Sequence, residues 1–188
     1  MNLIIFGPPG AGKGTQSNFI ANKFNLFQLS TGEILRDQIK KQTALGIKIS
    51  PIMNSGSFVS DEIVSELIEK YIKEKKYNNK IIFDGYPRSL EQVKNLERLL
   101  DKYKQKIDLV LKLSVSLETV KKRISDRRSL EKRADDYEDI AVKRYKTYEK
   151  STEPVIEYYK KLNLLKVVDG ERSIDQINKE ISDIIAVI

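Results

Sequence analysis

The chain contains neither cysteine nor histidine in its 188 residues. The first absence excludes disulfides and thiolate metal sites, and the second removes the commonest zinc ligand along with the usual general base. Chemistry carried by this chain must therefore rest on positioning and on charge. No apolar run approaches membrane-spanning length, and no basic leader with an apolar segment behind it precedes the first strand. A cytoplasmic protein without membrane partners is expected. Acidic residues do not balance the basic ones: 34 Lys and Arg stand against 27 Asp and Glu, a net charge of +7. The two signs are mostly interleaved, as on solvated helix faces, so a small polyanionic ligand accounts for the excess and nucleic acid is not required. The length suits one α/β domain with a sizeable core, and nothing demands more than a monomer.

What is present is concentrated in Gly7-Pro8-Pro9-Gly10-Ala11-Gly12-Lys13-Gly14-Thr15. It follows the apolar run Leu3-Ile4-Ile5-Phe6, read as a short buried strand, and leads into the helical pattern of Phe19, Ile20 and Phe24. Glycines allow the backbone to turn its N–H groups inward, the helix N-terminus adds a positive dipole end, and Lys13 brings a mobile charge for β- and γ-phosphates. A Ser or Thr usually follows the Lys directly. Here Gly14 intervenes, and Thr15 is the hydroxyl placed to face Mg²⁺.

Further along, Leu26 to Leu29 reads as a second strand, with Ser30 or Thr31 capping a helix that contains Ile34, Leu35 and Arg36. Residues 37 to 58 are polar and broken by Gly46, Pro51 and Gly56, which suggests short, modestly buried helices forming a mobile flap that projects from the sheet. A helix opens at Ser60-Asp61-Glu62. Ile81-Ile82-Phe83-Asp84 is a strand ending in a carboxylate, followed by the turn Gly85-Tyr86-Pro87-Arg88 and a helix capped by Ser89. Ligands of open α/β sheets sit beyond the carboxyl ends of strands, so Asp84 lies where phosphate-bound Mg²⁺ needs a counter-charge, directly or through water. Strands at 108–113 and 164–168, a helix from Leu117 into several arginines, and long closing helices complete the pattern. Strands alternating with helices, too far apart for hairpins, call for a parallel sheet of about five strands covered on both faces.

Together, Gly7-x-Pro9-Gly10-x-Gly12-Lys13-Gly14-Thr15-Gln16, Ser30-Thr31-Gly32-Glu33-x-Leu35-Arg36, Asp84-Gly85-Tyr86-Pro87-Arg88 and the late arginines resemble the adenylate kinase family over essentially the whole chain. The resemblance implies the P-loop nucleoside-monophosphate kinase fold, with a core (1–29, 60–126, 137–188), a monophosphate-binding flap at 30–59 and a lid at 127–136. It implies MgATP and AMP as substrates and ADP as product. Gly10, Ala11, Gly12, Lys13, Gly14 and Thr15 would hold ATP, with Arg123 stacked on its adenine and Arg172 adjoining it. AMP would meet Thr31 and Gln92 at the base, Ser57, Phe58 and Val59 along the base pocket, Arg36 and Arg88 at the α-phosphate, and the turn Gly85, Tyr86, Pro87. Arg127, Arg133 and Arg144 would clamp phosphates, and with Lys13 and Arg88 make up the catalytic set. Larger bacterial members insert a long segment, often with four zinc ligands, between the arginines matching Arg127 and Arg133. Only residues 128 to 132 intervene here, so a short lid without zinc is expected, in keeping with the missing Cys and His.

The chemistry needs such a set on its own account. Two nucleotides gather several negative charges, in-line transfer requires no covalent step, and the planar fork of Arg holds phosphate oxygens while staying ionised. Some of these arginines could instead pair with Glu131, Asp135, Asp136 or Glu138, and Arg128 is assigned no role. Two alternatives remain at this level. One is a UMP/CMP kinase, against which Thr31 and Gln92 argue. The other is a P-loop switch without transfer activity, in which Arg36, Arg88, Arg133 and Arg144 would have no purpose.

Overall fold

The computed structural model describes residues 1–131 and 135–188. Five strands form one parallel sheet: β1 (Leu3–Phe6), β2 (Phe27–Ser30), β3 (Ile81–Asp84), β4 (Leu109–Ser114) and β5 (Leu165–Asp169), in the order β2-β3-β1-β4-β5. Among the described residues, eight α-helices connect and cover them: α1 (Lys13–Phe24), α2 (Thr31–Lys40), α3 (Ala44–Asn54), α4 (Asp61–Ile72), α5 (Leu90–Lys102), α6 (Leu117–Glu131), α7 (Glu138–Lys161) and α8 (Ile174–Ile185).

The pleat sends alternate strand residues to opposite faces, and both faces are apolar, as a sheet covered twice requires. Ile4 and Phe6 of β1, Ile81 and Phe83 of β3 and Val110 of β4 join one core with Leu96, Val155 and Tyr159 of the covering helices. Leu3, Ile5, Ile82, Leu109 and Leu111 face the other way, against Ile20, Val120, Ile124, Ile177 and Ile181. Each such side chain, fully buried, contributes roughly 1.5–3 kcal/mol of transfer free energy, so the two cores fix the sheet firmly. The register sets Ile5 beside Asp84, and Ser30 beside Asp84 from the other side. The carboxyl ends of β1, β2 and β3 thus converge at one rim.

Strand boundaries fall within one residue of the sequence reading, but two local expectations are corrected. Ser30 occupies the position before α2 without making a side-chain cap bond, and Thr31 is already the first helical residue; its hydroxyl points to the carbonyls of Asp84 and Gly85 instead. Segment 37–58 is better packed than its polar composition suggests. Thr43 caps α3 by accepting from the Gly46 N–H, and Ile49 is fully buried in the first core. Gly46 permits this packing: a Cβ there would lie 2.0 Å from the Gln38 carbonyl oxygen. Ser89 caps α5 as read, accepting from the Gln92 N–H.

Candidate active site

The loop between β1 and α1 turns sharply enough that the Ala11 N–H donates to the Pro8 carbonyl at 3.1 Å, and Gly12, with φ +91°, stands before the first helical residue, Lys13. Its backbone N–H groups are free of strand pairing at the helix N-terminus, the arrangement that attracts phosphate. The Lys13 ammonium folds back to donate to the carbonyls of Gly7 (2.8 Å) and Pro8 (3.0 Å). Burial pulls its pKa down to about 8; Asp84 opposes that fall, while Arg88, Arg144 and Arg127 add to it. The charge is held under stress, which an anion in the cleft would relieve.

At the end of β3, Asp84 is buried and accepts from the Gln28 amide at 3.1 Å. Gly85 follows with φ +83°, a conformation L side chains resist, and a Cβ there would lie 2.9 Å from the Arg88 guanidinium and 3.1 Å from the Thr31 hydroxyl. The bare backbone at Gly85 lets these two side chains approach each other. Arg88 is fixed on three sides: Nε donates to the Gly85 carbonyl at 2.6 Å, its backbone N–H donates to the Gln92 amide oxygen at 2.7 Å, and its guanidinium lies 4.6 Å from the centre of the Phe58 ring. Burial, and then the charge of Arg144, press its pKa down to about 10, which leaves it charged at neutral pH. Gln92 in turn donates to Asp61. Tyr86 lies beneath in the core, its hydroxyl donating to the Gln92 carbonyl.

Two clefts open on this rim. One is walled by Pro9, Gly10, Gly12, Lys13, Gly14, Thr15, Asp84, Arg123 and Arg127 and has a volume of about 390 Å³. The other lies under the flap, among Thr31, Leu35, Met53, Ser57, Phe58, Val59, Val64 and Gln92. Gly32, Arg36, Gly85, Arg88 and Arg144 line both. Leu35, Met53 and Val64 escaped the sequence reading; apolar residues on helices read first as core, and only the packing of α2, α3 and α4 reveals an apolar slot.

The arginine–carboxylate pairing weighed from sequence does occur. Arg127 grips Asp136 through both Nε (2.7 Å) and a terminal nitrogen, and Arg144 donates to Asp135 at 2.6 Å. Burial opposes the Arg127 charge, but the bonds to Asp136 prevail and hold its pKa above the usual value. Both arginines still line the loop cleft, so the carboxylates fix their direction. Arg128 stacks on Tyr137, 3.8 Å from the ring centre. Arg123 reaches the carbonyls of Ala11 (3.3 Å) and Gly170 (2.8 Å) at the loop's outer side. Ala11 itself is buried and meets this site through its backbone. Arg172 turns to Glu180 and to the Asp169 carbonyl. Pro87 lines a smaller cavity beside the clefts. The expected role of Arg133 lies outside the described residues.

Asp84 and the Thr15 hydroxyl share one cleft, a hard oxygen donor set that suits a Mg²⁺ carried on phosphate. Among the described residues no group of three or more Asp, Glu, Cys or His side chains could hold a metal ion by itself, and no helix is long and apolar enough to cross a membrane.

A family profile described as adenylate kinase matches residues 5–164. An adenylate kinase of Pelagibacter ubique (strain HTCC1062) is 43% identical over 213 aligned positions, with all of both chains covered. One from Petrotoga mobilis (strain DSM 10674 / SJ95) is 39% identical, covering 98% of this chain and 97% of its own. One from Mycoplasma capricolum subsp. capricolum is 39% identical over 188 positions, covering 85% of this chain and 87% of its own. The alignment to the Pelagibacter protein is longer than this chain, so that relative carries residues without a counterpart here.

Proposed function

The chain belongs to the adenylate kinase family, and from that premise we propose how its residues divide the work. The reaction is reversible transfer of the terminal phosphoryl group of ATP to AMP, giving two ADP; the UMP/CMP kinase alternative is not favoured. The observation that carries the division of labour is that five residues belong to both clefts at once. A switch protein needs one nucleotide cleft; a transferase needs two that meet where the phosphoryl group crosses. ATP lies on the loop of Gly10 to Thr15, with Arg123 and Arg172 toward its base. AMP lies under the flap at 30–59, its phosphate against Arg36 and Arg88. Lys13, Arg127, Arg133 and Arg144 spread the charge of the transferring group, which needs positioning and electrostatic stabilisation. Thr15 and Asp84 would hold a phosphate-borne Mg²⁺, directly or through water, and it would supply neutralisation of phosphate charge there. The lid at 127–136, closing over the core, excludes water and so limits hydrolysis. We place the chain in the cytoplasm as a monomer without nucleic-acid partners.

A coupled assay of ADP formation from ATP with AMP, CMP or UMP tests this directly. AMP is expected to be preferred, because Thr31 and Gln92 offer the mixed donors and acceptors that an adenine edge requires. A pyrimidine leaves such groups unpaired at about 1–3 kcal/mol each, roughly tenfold or more per group. Thr31→Ala should raise KM for AMP and narrow the AMP/CMP ratio of kcat/KM, with KM for ATP little changed. An unchanged ratio removes Thr31 from the base pocket, and a wild-type preference for CMP removes the whole reading.

The ion pair of Arg127 with Asp136 ties the two ends of the lid segment. Protein purified without added metal should contain far less than one zinc per chain. A zinc-selective chelator should leave its melting curve in place, while Mg²⁺ remains necessary for turnover. Stoichiometric zinc, or melting shifted by the chelator, contradicts the metal-free lid.

A further inference from the structure

The Tyr148 hydroxyl is buried and has no hydrogen-bond partner among the described residues. Its ring packs against the first core, and burial raises its pKa well above that of a free phenol. A buried hydroxyl without a partner costs about 1–3 kcal/mol, and phenylalanine would fill the same space without that cost. Unsatisfied groups of this kind call for a specific explanation, and a working role at an active site is one.

The surroundings supply one. Tyr148 lines a cavity of about 60 Å³ whose other walls include Gly7, Pro9, Lys13, Arg88, Arg144 and Thr152. On α7, Arg144, Tyr148 and Thr152 follow at intervals of four, so they stack along one helix face. Three cations border the cavity and could use an acceptor. Arg144 is directed by Asp135, and Arg88 by the Gly85 carbonyl and the Phe58 ring. Lys13 has three donors, of which the Gly7 and Pro8 carbonyls take two. A phosphate bound at the loop would compete with those two acceptors for the same ammonium.

We propose that Tyr148 is a positioning residue for Lys13, its hydroxyl accepting from the ammonium when Lys13 leaves the loop carbonyls to hold the transferring phosphate. This rests on the phosphotransferase reading given above. The hydroxyl takes no proton and forms no bond to substrate; it keeps a buried ammonium charged and aimed while its partners change. Tyr159 provides a matched control. Its hydroxyl is likewise buried without a partner, but it sits in the core beside Phe6 and Tyr158, outside the cavity.

The test compares wild type, Tyr148→Phe and Tyr159→Phe in the ADP-forming assay with ATP, Mg²⁺ and AMP, across pH, with melting temperatures. Tyr148→Phe should lower kcat about tenfold, the worth of a hydrogen bond to a charged group, with both KM values within about twofold. The alkaline limb of its kcat profile should move to lower pH by about half a unit, because the acceptor that favours charged Lys13 in the substrate-bound state is gone, while the limb in kcat/KM stays in place. Its melting temperature should stay level or rise, and Tyr159→Phe should keep wild-type kcat and pH profile. Wild-type kcat in Tyr148→Phe overturns the proposal, as does an equal loss in both variants or a loss accompanied by a lower melting temperature. Absence of ADP formation by the wild type would instead overturn the underlying function.

Discussion

Lys13→Met is expected to slow phosphoryl transfer by at least ~10³-fold while the protein melts at a higher temperature at pH 7. Both effects have one origin. The ammonium lies at the loop proposed to hold the phosphates, and no histidine, metal cluster or nearby lysine of the described cleft can substitute for it. Without phosphate the same charge is poorly solvated, which is why its pKa falls to about 8 from an ordinary 10.5. The sign of the stability effect follows by linkage. A folded-state pKa below the unfolded one means that the unfolded chain binds the proton more tightly, so protonated Lys13 destabilises the fold. That cost is full below pH 8 and fades as pH rises from about 8 to 10.5. The advantage of the Met variant in melting temperature should therefore shrink across this window. In the wild type, kcat/KM for MgATP should fall above pH 8 as free enzyme loses the Lys13 proton. The limb in kcat should lie at higher pH, since bound phosphate favours the ammonium. Near-normal turnover by the Met variant, or a melting temperature lowered at pH 7, would remove Lys13 from this role.

Arg88→Lys should cost about 10²-fold or more in kcat/KM for AMP, and Arg88→Ala at least as much, with KM for ATP changed little. Charge alone does not satisfy this position. The guanidinium uses one edge to hold the Gly85 carbonyl and one face to meet Phe58, and its remaining donors border both clefts. A lysine ammonium cannot hold a carbonyl, lie flat on a ring and present a fork to phosphate together. Gly85 and Thr31 stand within contact of the same group, so disorder at residue 88 propagates into the cleft lined by Thr31 and Gln92. Steady-state kinetics with each substrate varied in turn, on variants with wild-type melting temperatures, checks this. Equal activity in the Lys variant would mean that position 88 contributes only charge.

Much of the site was legible in sequence because its chemistry is local. The phosphate loop needs its glycines and Lys13 within nine consecutive residues, and Asp84 ends a run of three buried apolar residues that can only be a covered strand. The flap was harder. Its polar composition suggested short helices but hid how closely α3 packs, which depends on Gly46 lying against the Gln38 carbonyl, a contact between residues eight apart that no local propensity encodes. Thr31 and Ser30 are both plausible caps by residue type, and the choice went to neither side chain because the neighbouring strand offered Thr31 the carbonyls of Asp84 and Gly85.

The order of motifs along the chain, the alternation of strand and helix and the lack of Cys and His determined by themselves the fold class, the phosphate chemistry and the absence of thiolate or imidazole metal ligands. These follow from covalent and short-range constraints, which sequence states directly. Only the tertiary structure decided which side chains share a partner. It paired Arg127 with Asp136 and Arg144 with Asp135, stacked Arg88 on Phe58, and set the Tyr148 hydroxyl in a cavity with Lys13. Several carboxylates lay within reach of each arginine on paper; the fold set Arg127 on Asp136 and Arg144 on Asp135, with Asp136 4.0 Å away, because buried charges must find partners where the core holds them.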